Sequence, residues 1–300
     1  MNRKIQSAGM IAGMIIAWSV YYAVSKYLVD GTGSAFLVGF LLRSAALVFL
    51  TVQIFLDGGY RRLFRQGRTV WFLILIGVLG FLLDLFANLG YAGGSLATGT
   101  ALLKTDVLMV NILTVVIYRQ RLYASDWIGS IVMLAGVLLV LGIDPSGIEF
   151  HFTDIFFILS ALCVTANAFL IKHVQTKRNG DTDSISYYNN FVVLVLFAVC
   201  TLARGDLANI GSLDIPGLWP LVMLGGFAQT MIYFFYYRNL KRHEVWIVKL
   251  WLLLMPVVSC FIGIFFLGER MTWLKALGIG IVLAGAAVIL LRERFHPESR

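Results

Sequence analysis

The sequence predicts an all-α integral membrane protein with ten transmembrane helices, arranged as two inverted five-helix repeats. Three observations predict it. The 300 residues are 59% hydrophobic and only 13% charged, far more apolar than a soluble domain. Apolar runs of membrane-spanning length recur ten times along the chain. One stretch of the first half also returns in the second at a constant offset of 149 residues.

The runs cover residues 8–29, 34–56, 69–89, 95–117, 124–142, 153–172, 185–203, 216–237, 244–267 and 272–291. A helix crosses about 30 Å of hydrocarbon with roughly 20 apolar residues, so each is a candidate span. The basic start, MNRKIQSAGM, precedes a long run without a small-residue cleavage site, which predicts a retained first helix and not a signal peptide. Connections are short, and none reads as a domain boundary. The stretch Glu244 to Arg270 is the most heavily punctuated: Lys249 lies about a turn inside it, Pro256 at its centre and Gly268-Glu269-Arg270 at its end. A mid-membrane proline frees a backbone carbonyl, and that is tolerated where protein or a water-filled cavity satisfies it. This helix reads as a wall of something and not as lipid filler.

Orientation follows from Lys and Arg. With the N-terminus inside, seventeen of them fall on inside segments and two, Arg204 and Arg270, on outside loops; Lys26, Arg43, Lys104, Lys249 and Lys275 lie within runs. The positive-inside rule then places both termini in the cytoplasm.

The repeat aligns Leu122–Gly136 with Met271–Gly285, so that Gly129 meets Gly278 and Ala135-Gly136 meets Ala284-Gly285. The same offset sets Arg121 on Arg270, Gln120 on Glu269 and Val107 on Pro256. Lys26 and Lys172 also occupy similar places near the ends of the first and sixth runs. The first copy spans 1–145 and the second 150–295. Five spans per copy is odd, so the second must enter from the opposite side, an arrangement common in secondary transporters whose sites lie near the midplane.

Ten helices in two halves, the second carrying Pro256, Gly268-Glu269-Arg270, Gly278 and Ala284-Gly285, resemble the drug/metabolite transporter (DMT) superfamily, specifically its EamA-type members. Trp18 sits where such proteins often have a Trp-Gly pair, here Trp18-Ser19. The first half departs from the pattern at Val107 and Gln120. The resemblance implies a central cavity lined mainly by the first four helices of each half. It also implies a more peripheral fifth helix, often at a homodimer contact, and a structural helix-end role for Glu269. A bacterial inner membrane is the implied location.

Charge enters the membrane mainly in the first half: Arg43 in the second run, Asp84 in the third, Lys104 and Asp106 in the fourth. Each costs about 2.5–3.5 kcal/mol at a helix centre on insertion scales. Two internal ion pairs, Arg43–Asp84 with Lys104–Asp106 or crossed, would lock helices together. Alternatively, Lys104, Arg43 and Lys249 bind an anionic group, and Asp84 and Asp106 couple a proton. Lys104 and Asp106, two apart on a helix, point to different neighbours. Lys249 either lines the pathway or snorkels to the near surface, and snorkelling is the expectation for Lys26 and Lys172. Trp18, Tyr22, Tyr233 and Trp251 lie deep enough to stack on a ligand or hold a cation, although core packing is the commoner role for any single one. Asn88 is a neutral candidate, with Asn111, Asn167, Asn189, Asn190 and Gln229 as groups that often merely join helices.

The net charge of +8 reflects cytoplasmic loops; no basic stripe with interleaved aromatics predicts nucleic-acid binding. Cys163, Cys200 and Cys260 are far apart, and His151, His173, His243 and His296 are scattered, so no metal or cofactor is expected. No hydrolase, metalloprotease or P-loop motif predicts an enzyme. The expected function is a secondary transporter that moves a small organic metabolite, an amino acid or organic anion, outward by alternating access. Two other readings stand beside it: a flippase for a lipid or lipid-linked headgroup, and an uncoupled facilitator.

Overall fold

Without water in the hydrocarbon, backbone N–H and C=O groups must find partners within the segment, and the continuously apolar runs accordingly become helices. The computed structural model describes residues 3–91, 102–119, 122–140, 155–207, 216–255, 257–258, 261 and 271–295. In chain order the helices are α1 (Arg3–Thr32), α2 (Ala35–Leu56), α3 (Tyr60–Phe64), α4 (Val70–Tyr91), α5 (Asp106–Tyr118), α6 (Ala124–Val140), α7 (Ile155–Lys177), α8 (Thr182–Arg204), α9 (Leu218–Arg242), α10 (Val245–Leu252) and α11 (Trp273–Phe295). Among the described residues six helices are long and apolar enough to cross a membrane, and Ala124–Val140 and Trp273–Val288 are shorter apolar helices.

The described helices fall on the expected runs, and two stretches differ from expectation. The connection after α2, expected as loop, carries the short α3 and a 3-10 turn at Gly67–Thr69. The 244–267 run is helical as α10 to Leu252 and turns at Leu253 and Leu254; Pro256 and Gly268-Glu269-Arg270 lie outside the described residues. Polar residues set the boundaries. Ser34 caps α2 by accepting from the Leu37 N–H at 3.2 Å, and Asp181 caps α8 by accepting from Ser184 N–H at 3.1 Å, each satisfying a donor the helix leaves open. Gly205, with φ of 74°, closes α8 in the left-handed region.

The chain forms two compact units, and each draws on both halves of the sequence. The first contains residues 1–82 and 167–242. In it α9 packs against α1 and α2, and α2 against α8. A cluster that includes Val24, Leu28, Leu37, Leu42, Ala45 and Val222 fills the contact. Its termini carry ionic ties: Arg238 to Asp183 at 3.1 Å, Arg62 to Asp181 at 3.8 Å, and Ser34 Oγ donating to Asp206, which also meets Arg204 at 3.5 Å.

The second unit contains residues 83–166 and 243–300. Its principal seam joins α6 and α11. A Cβ at Gly136 would lie 2.8 Å from the Gly278 carbonyl and from Val282; a Cβ at Gly285 would lie 2.7 Å from Met133 and 3.2 Å from the Gly129 carbonyl. Small residues let the two backbones touch, which is how helices gain dispersion contact where lipid supplies no hydrophobic drive. The second set of contacts is the first with each residue exchanged for its counterpart 149 positions away.

A side chain on this seam overpacks it, at about 1–3 kcal/mol. Gly136→Leu and Gly278→Leu are therefore expected to lower the thermal unfolding midpoint in detergent. Gly280→Leu, where a Cβ meets nothing within 4 Å, is expected to leave it unchanged.

Candidate functional site

Each unit buries a polar cluster among apolar helices. In the second unit the Lys249 ammonium lies 2.8 Å from Asp106 Oδ2. Lys249 is on α10 and Asp106 opens α5, so the pair crosslinks helices 143 residues apart in sequence. The side chains are 5% and 14% exposed, which puts the contact out of reach of full solvent screening. Lys104 is half-buried two residues before α5 and lies within electrostatic range of both Asp106 and Lys249. Thr105 interrupts the helix between Lys104 and Asp106, so α5 presents Asp106 in its first turn. Farther along, Asn111 donates to Ser130 Oγ at 3.0 Å and Ser130 donates to the Asp126 carbonyl at 2.7 Å, tying α5 to α6.

In the first unit, Arg43 is buried at the middle of α2. Its guanidinium donates to the Tyr233 hydroxyl on α9 and stands 5.9 Å from that ring's centroid. Its backbone carbonyl accepts from Asn190 Nδ2 of α8 at 2.9 Å. Tyr237, one turn on from Tyr233, meets that ring edge-on at 5.3 Å and accepts from Asn189 Nδ2. Hydrogen bonds and one ring contact thus run from α2 through α9 to α8 and back. Gly80 leaves room beside it: a Cβ there would sit 2.7 Å from Asn189 Oδ1 and 3.6 Å from Asn167 Nδ2. The buried Oδ1 atoms of Asn167, Asn189 and Asn190 have no hydrogen-bond donor among the described residues. A pair of aromatic contacts lies on α1, where Trp18 stacks on Tyr22 at 5.4 Å and meets Tyr236 edge-on at 6.4 Å.

These placements settle several expectations. Asp106 takes Lys249 as an ion-pair partner. Lys249 is buried and does not snorkel. Lys172 does not snorkel either; its ammonium donates 2.8 Å to the Leu240 carbonyl in the last turns of α9, where cations are favoured. Tyr22 is 48% exposed and Tyr233 3% exposed. Trp251 and Asp84 are half-buried. The side chains of Asn88 and Lys26 lie outside the described residues. Tyr237, Asn189 and Asn190 form part of the Arg43 cluster and were not singled out as ligands by sequence; the signal was present, since Asn189-Asn190 is a double amide inside an apolar run and Tyr233 and Tyr237 stand four apart on one helix face.

Removing Lys249 strands a buried carboxylate. Lys249→Met is expected to cost about 3–5 kcal/mol of stability, and adding Asp106→Leu to recover more than half of it, read as unfolding midpoints of the single and double variants. Tyr233→Phe removes the acceptor of a charged donor and is expected to cost about 1.5–3 kcal/mol.

The EamA-like transporter family model matches residues 7–142 and again 151–291. An uncharacterized transporter of Archaeoglobus fulgidus is 23% identical over 284 residues, covering 95% of this chain and 98% of that protein. A crystal structure, described only as that of a protein, superposes with a TM-score of 0.78 at 18% identity, covering 96% of this chain and 98% of the other; it shares the fold. With matches over both halves of the sequence, the chain belongs to the EamA-like transporter family of the drug/metabolite transporter superfamily and is an integral membrane protein.

Proposed function

We propose that this membrane transporter is a ten-helix secondary carrier, built from inverted repeats at 1–145 and 150–295, that exports a small organic metabolite by alternating access. The substrate is an amino acid or an organic anion. The membrane is a bacterial inner membrane with both chain termini in the cytoplasm.

The observation that carries the reading is the charge cluster of Lys104, Asp106 and Lys249. An ion pair buried between helices costs desolvation that a hydrophobic contact would avoid, and intramembrane ionisable groups mark substrate or proton pathways by default. Lys104, Lys249 and, in the other unit, Arg43 are the candidate ligands for an anionic group. Asp84 and Asp106 are the candidate proton carriers. Trp18, Tyr22 and Tyr233 in the first unit, and Trp251 and Asn88 in the second, are the remaining candidate ligands. Three features support the repeat: the family model matching twice, the exchange of contacts on the α6–α11 seam at the sequence offset, and the side-chain caps that open both α2 and α8.

Transport of labelled amino acids and organic anions into proteoliposomes, with and without a pH gradient, tests this. One solute class is expected to move, and Lys104→Ala and Asp106→Asn are expected to lower its rate at least tenfold, with the unfolding midpoint of Lys104→Ala within a few degrees of the wild type. Unimpaired transport by both variants would remove these residues from the site, and movement of headgroup-labelled lipid alone would replace solute transport with lipid flipping.

A further inference from the structure

The connection between α2 and α4, in the first unit, is short, basic and held in place. Residues 57–69 carry four arginines, Arg61, Arg62, Arg65 and Arg68, against one acid, Asp57. Gly58 and Gly67, with φ of 61° and 51°, turn the chain on either side of α3 in the region that favours glycine. The Tyr188 hydroxyl donates to the Leu63 carbonyl at 2.9 Å and Arg62 faces Asp181 at 3.8 Å, so α8 and its cap fix α3. The rest of the segment is left open. Phe64 is 83% exposed and Trp71, at the start of α4, 72%. Arg61, Arg65 and Arg68 are exposed and meet no carboxylate among the described residues; Arg61 donates only to the Tyr60 hydroxyl beside it, at 3.2 Å.

We infer that this connection is a binding site for an anionic phospholipid, with the phosphate on Arg61, Arg65 and Arg68 and the acyl chains on the apolar side chains beside them. The inference rests on the chain being an integral membrane protein and not on what it transports. Exposed apolar side chains lead into the segment from both helices: Val48, Val52, Phe55 and Leu56 along the end of α2, and Trp71 and Leu75 at the start of α4. In a membrane protein such stripes face hydrocarbon. Their ends set α3 at headgroup depth, where aromatic and basic side chains anchor a chain. Guanidinium forks match phosphate oxygens in pairs. Net charge then selects the lipid. A zwitterionic headgroup brings its own cation beside three arginines that have no carboxylate; an anionic headgroup brings none. If these arginines served topology alone, their charge would matter during insertion and they would not discriminate between the two lipids.

The test uses the full chain, immobilised in detergent and equilibrated with micelles holding equal amounts of dioleoyl phosphatidylglycerol and dioleoyl phosphatidylcholine. Bound lipid is then extracted and quantified by mass spectrometry. The wild type is expected to retain about fivefold more phosphatidylglycerol than phosphatidylcholine. Arg61→Gln/Arg65→Gln/Arg68→Gln is expected to bring the ratio within about twofold, with an unchanged unfolding midpoint in lipid-free detergent because all three side chains are exposed. Lys177→Gln/Lys241→Gln, which removes exposed charges of the same unit outside the connection, is expected to keep the wild-type ratio. Equal retention of the two lipids by the wild type would overturn the site. A ratio that falls as far in the lysine variant as in the arginine variant would overturn its location and leave a diffuse basic surface. Loss of the preference on adding millimolar inorganic phosphate, at constant ionic strength, would make this a free-phosphate site and overturn the lipid.

Discussion

Hydrocarbon offers a buried charge no water, so each one must be settled inside the protein, and the polar interior of this chain follows from that constraint. Three solutions appear. Lys249 takes a carboxylate. Lys172 takes a helix-terminal carbonyl, with Gln175 donating to the neighbouring Tyr237 carbonyl at 2.9 Å. Arg43 takes a tyrosine hydroxyl and the face of its ring. Each ties helices together, so the residues that are expensive to bury are also those that fix which helices are neighbours.

Apolar packing supplies the rest, and it depends on small residues more than on large ones. On the α6–α11 seam glycines bring backbone against backbone. In the first unit Gly13 lies under the Phe235 ring and Gly39 under Phe197, so an aromatic edge fills the space a side chain would take. Close approach widens dispersion contact, which is the main attraction available between helices already surrounded by apolar lipid.

Much of this was legible in the sequence. The length and hydropathy of the runs located the helices, because the bilayer imposes a narrow length rule. The glycines of the repeat, Gly129, Gly136, Gly278 and Gly285, were picked out by register and lie together on one seam. Pairing was less legible. Asp106 has cations two residues away at Lys104 and 143 residues away at Lys249, and sequence separation does not reveal which helix lies alongside. Lys172 illustrates the same difficulty: near the end of an apolar run, snorkelling and helix capping look alike until the neighbouring helix is known. Tyr237 and Asn189 escaped notice as a pair because each alone is an ordinary membrane-helix residue, and only the crossing of α8 and α9 makes them one cluster.

The two units each take helices from both halves of the chain, and this has a consequence for synthesis. Neither unit is complete until the second half has been made. Asp106 enters the membrane long before Lys249 exists; at roughly 5–20 residues per second, the 143 intervening residues leave it waiting about 7–29 s. Through that interval the first half must keep unmatched charge in or near lipid. The nascent chain therefore depends on something that shelters half-built bundles, whether the insertion machinery itself or a polar interior held open to water, and its vulnerability to proteolysis is concentrated in the period before α10 emerges.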